Sequence, residues 1–152
     1  MPVVESLMVF LSAWGVAIPI ICALLTRDKR LIVRTAVAFV LTFCITDILK
    51  VVVARPRPYA GSGGWFLSTP ADIWSFPSKH ASLTFSIATS LRHKKVLGVV
   101  AAVFAGLVSF SRIYLGVHYL TDVIAGAVLG ILVALASDRL VDYVERRARE
   151  KA

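Results

Sequence analysis

The chain has 152 residues, 58% of them hydrophobic, a net charge of +8 and a mean hydropathy of +0.80, with its apolar residues in long runs rather than amphipathic stripes. That pattern excludes a soluble globular domain. It places the positive charge on the flanks of membrane spans, so the bilayer is the expected partner and nucleic acid is not. The expected fold is all-α, a single integral membrane helical bundle over residues 1–152 with about five transmembrane helices.

Residues 3–25 are the first expected span, with Pro19 as its kink and Arg27, Lys29 and Arg30 as its stop. No basic segment precedes it and further spans follow, which argues against a signal peptide. The second span, 31–53, carries Arg34 near its basic end. Asp47 and Lys50 lie near the other end, three residues apart and placed for a mutual ion pair. Arg55-Pro56-Arg57-Pro58 ends this span, because each proline removes a donor and excludes helical geometry from the residue before it.

Residues 55–78 then read as a loop. Gly61, Gly63 and Gly64 make its first half pliable, and Trp65, Phe66, Trp74 and Phe76 suit either an interfacial belt or substrate contact. The third span, 79–91, gives only about 20 Å of helix. Ser78 and His80 therefore open a helix N-terminus in a recessed position, where free N–H groups favour an anion. The fourth and fifth spans, 96–110 and 119–140, are rich in Gly and Ala, with Gly126 and Gly130 spaced for close helix contact. Residues 111–118 form the expected loop between them, and the tail from 141 reads as a short solvated or membrane-surface helix. Cys22 and Cys44 lie in apolar runs outside any Cys/His cluster and read as packing residues.

All but five of the 17 Lys and Arg residues fall on the side that holds residues 27–30, 92–95 and the tail. The positive-inside rule makes that side cytoplasmic, with the N-terminus out and the C-terminus in. The five exceptions, Lys50, Arg55, Arg57, Lys79 and Arg112, gather at the opposite membrane ends with His80, His118 and Asp122. Cations converging on two histidines need a counter-anion, and a phosphate group supplies one. His118 and Asp122 share a helical face, so the carboxylate can fix the imidazole tautomer; taken alone, such a pair is ordinary. The same cations repel a divalent metal from His80, His118 and Asp122, so no metal and no cofactor are expected.

Three stretches carry a further signal: Lys50, six residues, then Arg57-Pro58; Pro77-Ser78-Lys79-His80; and Ser111-Arg112, five residues, His118, three residues, Asp122. Spanning residues 50–122, they resemble the type 2 phosphatidic acid phosphatase family, membrane lipid phosphatases that share a site with soluble vanadium haloperoxidases and with glucose-6-phosphatase. The resemblance implies that His118 attacks phosphorus to form a phosphohistidine, that Asp122 orients it, and that His80 protonates the leaving oxygen and then activates water. It implies that Lys50, Arg57, Ser78 and Arg112, with backbone N–H groups near Lys79, bind the phosphoryl oxygens. Lys79 stands where the family usually has glycine and adds a cation for a second phosphate. The chain also has one expected span fewer than the family's usual six. The function expected from this is hydrolysis of a polyprenyl diphosphate to the monophosphate at the outer membrane face, at an extracytoplasmic site. A phosphatidate or phosphatidylglycerophosphate phosphatase is the alternative, and a non-catalytic lipid-phosphate binder or transporter is the alternative of another class.

Overall fold

The structure, a computed structural model, describes residues 2–58 and 73–151. Gly61, Gly63, Gly64, Trp65 and Phe66 of the expected loop lie outside the described residues. Among the described residues the regular elements are six helices: α1 Pro2–Trp14, α2 Ala17–Leu25, α3 Lys29–Val53, α4 Lys79–Ser90, α5 Lys95–Tyr114 and α6 Leu120–Glu150. Three of them, α3, α5 and α6, are long and apolar enough to cross a membrane, and the bent pair α1–α2 makes a fourth candidate.

The first span is broken rather than continuous, with 55° between its halves. The break falls at Gly15, one turn before Pro19. A proline ring collides with the carbonyl four residues upstream and offers it no N–H, so the helix must give way near residue 15 while Pro19 sits in the first turn of α2, where no donor is needed. Helix α3 starts on Asp28, whose side chain accepts the Leu31 N–H at 3.1 Å. It stops at Ala54, which turns left-handed (φ 47°) just before Arg55-Pro56.

Helix α4 is the buried centre of the bundle. Most of its positions are enclosed, and Ser78, Ser82, Ser86 and Ser90 recur at four-residue spacing along the sequence. Their polarity is absorbed locally: Ser82 Oγ donates to the Ser78 carbonyl at 2.9 Å, Ser90 Oγ to that of Ser86 at 3.1 Å, and Thr42 Oγ1 of α3 to Ser86 Oγ at 3.0 Å. The outside is the reverse. Val40, Val52, Val96, Val128 and Leu132 are exposed, as expected where the surrounding solvent is lipid.

Two helix limits differ from the sequence expectation. Residues 111–114 are helix, not loop, because Ser-Arg-Ile-Tyr contains no breaker; the turn comes at Gly116 (φ 64°), whose N–H bonds the Ile113 carbonyl at 2.9 Å. The tail is not a separate helix either. No Gly or Pro follows Gly130, so α6 runs unbroken for 31 residues, about 46 Å.

Ion pairs hold the far end of α6 to its neighbours: Arg30 with Glu145, Arg34 with Asp142, and Arg92 with Asp138 at 2.6 Å. The N-terminal end of α3 and the C-terminal end of α4 therefore lie at that end. The C-terminal end of α3 and the first turns of α4 and α6 meet at the other. Along the α4–α6 seam a Cβ on Gly126 would stand 2.6 Å from the Ser78 carbonyl oxygen, and one on Gly130 would stand 2.1 Å from that of Ser82. Close approach there depends on the missing side chains. Gly130→Ala is expected to lower stability by about 1–3 kcal/mol through overpacking, whereas Gly106→Ala, with open space around it, is expected to be neutral or slightly stabilising; thermal unfolding in detergent distinguishes them.

Candidate active site

The short turn after α5 is closed by Val117 and His118 N–H groups, which both donate to the Arg112 carbonyl at 3.2 Å. This places His118 just before α6 with its ring turned inward, 3% exposed. Asp122 is fully buried in the first turn of α6. One of its oxygens, Oδ2, accepts the Tyr119 N–H at 2.9 Å, and the other, Oδ1, accepts from Arg55 at 2.8 Å. His118 Nδ1 lies 3.6 Å from Oδ2, within ion-pair reach but longer than a made hydrogen bond. Such bonds are often long in unliganded sites and tighten when substrate binds.

The other ring nitrogen faces a cation. Arg57 Nη1 sits 3.3 Å from His118 Nε2 and also donates to the Val117 carbonyl at 3.1 Å. A guanidinium can only donate, so Nε2 is the accepting nitrogen and the ring proton belongs on Nδ1, toward Asp122. The nitrogen with the free electron pair thus points at the Arg57 guanidinium.

Lys50, in the last turn of α3, is 1% exposed and donates to the Trp74 carbonyl at 2.6 Å. It does not take Asp47 as the partner that their spacing suggested. Asp47 instead binds Lys79 at 2.6 Å, with the Lys79 ammonium 4.5 Å over the Phe43 ring. The reason is geometric: Lys50 turns into the bundle, while Asp47 is only half-buried and lies within reach of the start of α4. Arg112, in the last turn of α5, hydrogen-bonds Ser12 of α1.

Ser78 is the residue before α4. Its N–H donates to the Asp122 main-chain carbonyl at 2.9 Å, joining the two helix starts. Its hydroxyl is fully buried and has no hydrogen-bond partner, although it stands where a side chain ordinarily caps a helix. His80, two residues on, is half-buried. Among the described residues no three His, Cys, Asp or Glu side chains form a metal-ligand group.

Burial opposes charging of the His118 ring more than any other influence. Asp122 pulls the other way, and Arg112, Arg57 and Lys50 add to the opposition, so its pKa falls from 6.5 to about 4. Lys50, Arg57, Arg112 and Asp122 are therefore close enough to act on one ring, and that ring is neutral at pH 7.

Sequence reasoning put Arg55 among the cations at this end of the bundle but gave it no role. Its guanidinium reaches Thr121 Oγ1 at 2.7 Å and Asp122 at 2.8 Å, and stacks 4.0 Å over the Tyr119 ring. The signal was the Arg-Pro-Arg repeat: in extended chain, residues two apart project to one side.

Several fixed cations, a neutral imidazole and an orphan hydroxyl at one end of a helical bundle suit a phosphate group, and define a membrane protein of the phosphate-handling class. Known proteins place it further. The PAP2 superfamily profile matches residues 31–146. An undecaprenyl-diphosphatase of Sulfolobus acidocaldarius is 35% identical over 144 residues, covering 88% of this chain and 68% of its own length. The crystal structure of Aquifex aeolicus LpxE matches with a TM-score of 0.74 at 28% identity, covering 91% of this chain and 87% of that one. A transmembrane PAP2-type phosphatidylglycerolphosphate phosphatase from Bacillus subtilis shares the fold with a TM-score of 0.67 at 24% identity, covering 95% and 79%. The chain belongs to the PAP2 superfamily and is a multi-pass membrane phosphatase of that family.

In isotope-labelled histidine spectra recorded in micelles, His118 is expected to stay neutral as pH falls through 6.5 and to gain its proton only near 4. The sign follows from the lowered value, and the chain's three histidines are separable by substitution.

Proposed function

We propose that this chain hydrolyses a polyprenyl diphosphate to the monophosphate at the extracytoplasmic membrane face, without a metal, through a phosphohistidine at His118. The observation that carries the reading is the 3.3 Å contact between Arg57 and His118 Nε2, because it aims a phosphate-binding cation and an unprotonated nitrogen at one point.

In this reading Arg57, Lys50 and Arg112 hold the phosphoryl oxygens, and Ser78 Oγ, left without a protein partner, donates to one of them. Backbone N–H groups at the start of α4 add to the cradle. Nε2 attacks phosphorus as the bond to the leaving oxygen breaks, and His80 gives that oxygen a proton. Nδ1 keeps its proton and donates it in a hydrogen bond to Asp122, which offsets the positive charge the ring gains in the intermediate. His80 then removes a proton from water, the water oxygen attacks phosphorus, the Nε2–P bond breaks, and inorganic phosphate leaves.

The membrane face follows from charge. Arg27, Lys29, Arg30, Arg92, Lys94 and Lys95 lie at the end away from the site, and the positive-inside rule makes that end cytoplasmic, with the N-terminus outside. The diphosphate preference rests on two supports: the name carried by the Sulfolobus relative, and Lys79 beside Ser78. Lys79 serves the second phosphate by exchanging Asp47 for it.

The test is phosphate release in detergent with EDTA present, from undecaprenyl diphosphate, phosphatidate and phosphatidylglycerophosphate in parallel. The expected result is release that is fastest from the diphosphate, is inhibited by vanadate as a mimic of five-coordinate phosphorus, and falls by roughly 1,000-fold or more in His118→Ala. Release that survives His118→Ala contradicts the histidine mechanism, and loss of release on chelation points to a metallohydrolase. Lipid binding without any release supports the binder. Preference for either phospholipid moves the substrate, not the chemistry.

A further inference from the structure

The two arginines of Arg55-Pro56-Arg57 address opposite ends of one pair of side chains. Arg57 meets His118 at Nε2, whereas Arg55 meets Asp122 at Oδ1, on the far side of the carboxylate from the ring. Among the described residues the Arg55 guanidinium meets the first residues of α6 and the residue before it: Thr121 Oγ1 at 2.7 Å, Asp122 Oδ1 at 2.8 Å, and the face of Tyr119 at 4.0 Å. Its own backbone is pinned as well, since the Arg55 carbonyl accepts the Ser75 N–H at 2.8 Å and the Ser75 hydroxyl at 3.2 Å.

Asp122 needs this partner. A carboxylate with no exposure at all must have its charge offset, and a neutral imidazole 3.6 Å away does not supply a cation. Arg55 does. It also leaves Oδ2 as the oxygen that faces Nδ1, because it occupies Oδ1 while the Tyr119 N–H bonds Oδ2 from the helix side.

Resting on the histidine mechanism proposed above, we propose that Arg55 is a positioning residue of the site: it holds the buried Asp122 carboxylate with one oxygen toward His118 and offsets the negative charge that this carboxylate imposes on the ring. It acts through Asp122 and touches neither the ring nor the phosphoryl group. The charged groups already facing the ring are Lys50 from α3, Arg57 from the segment after it, Arg112 from α5 and Asp122 from α6. Loss of Arg55 leaves the first three in place and lets the Asp122 charge act on His118 unshared. A more strongly felt anion favours the protonated ring, so the nucleophile is blocked at a higher pH.

The experiment measures kcat/KM for phosphate release against pH, and the titration of His118 in isotope-labelled histidine spectra, for the wild type, Arg55→Ala and Arg55→Lys. In Arg55→Ala the acid limb and the His118 titration are expected to move up together by about one pH unit. The neutral-pH rate is expected to fall on the order of 10- to 100-fold, mainly in kcat. Arg55→Lys, which keeps the charge but not the planar fork, is expected to return the limb toward its original position with only partial recovery of rate. An unmoved titration in Arg55→Ala overturns the proposal whatever happens to the rate, and a raised KM with an unmoved limb makes Arg55 a substrate ligand instead. Should Arg55→Ala fail to fold, Arg55→Gln gives the same readout with the side-chain length kept. His118→Ala distinguishes the two ideas: if it retains release while the spectra still show the shift, the nucleophile assignment fails and the Arg55–Asp122 coupling stands.

Discussion

A carboxylate buried at the end of a membrane bundle draws everything around it into place. Asp122 has no exposure to solvent, and a charge in that position persists only if hydrogen-bond donors and a cation surround it. Its side chain takes the Tyr119 N–H and Arg55, and its main-chain carbonyl takes the Ser78 N–H. Three separate segments, the end of the α3 turn, the start of α4 and the start of α6, are thereby tied to one residue. His118 is the fourth participant. Because those three are fixed, the ring has one orientation with Nδ1 toward the acid and Nε2 toward Arg57. The chemistry proposed for the histidine starts from that orientation.

The bundle makes such a convergence affordable by placing polarity inside and oil outside. Gly126 and Gly130 let α6 lie almost in contact with the backbone of α4, so that the Ser78 N–H comes within hydrogen-bond distance of Asp122. Hydroxyls on α4 satisfy themselves on carbonyls one turn back rather than demanding water. Some 30 Å away by helix length, the Arg30, Arg34 and Arg92 ion pairs hold the opposite end of α6. A helix restrained at both ends does not slide, and register at the site depends on that.

Much of this was readable from spacing. Three residues between His118 and Asp122, and six between Lys50 and Arg57, are local facts that helix geometry and two prolines convert into a cluster. The pattern of cations against the positive-inside preference put Arg57, Lys50 and Arg112 at one end of the bundle, and in the structure all three act on the His118 ring. What spacing could not supply was the choice of partner between helices. Asp47 and Lys50 sit three apart on α3, yet Lys50 turns inward to the Trp74 carbonyl and Asp47 outward to Lys79, a choice made by the rotation of α3 against α4. Arg55 had no motif to claim it, and its partner is 67 residues away. Helix limits failed where a breaker was assumed without one being present: α5 continues to Tyr114 and α6 to Glu150, while the first span breaks at Gly15, one turn upstream of the proline that causes it.

In the proposed mechanism His118 carries the phosphoryl group between the lipid and water. Rapid quench of the enzyme with a polyprenyl diphosphate radiolabelled in its terminal phosphate, followed by alkaline isolation of the labelled peptide, tests it directly. An acid-labile, base-stable label is expected on the peptide that contains His118, formed and discharged at rates consistent with turnover and absent from His118→Ala. Steady release of phosphate with no label on that peptide at any quench time would contradict it.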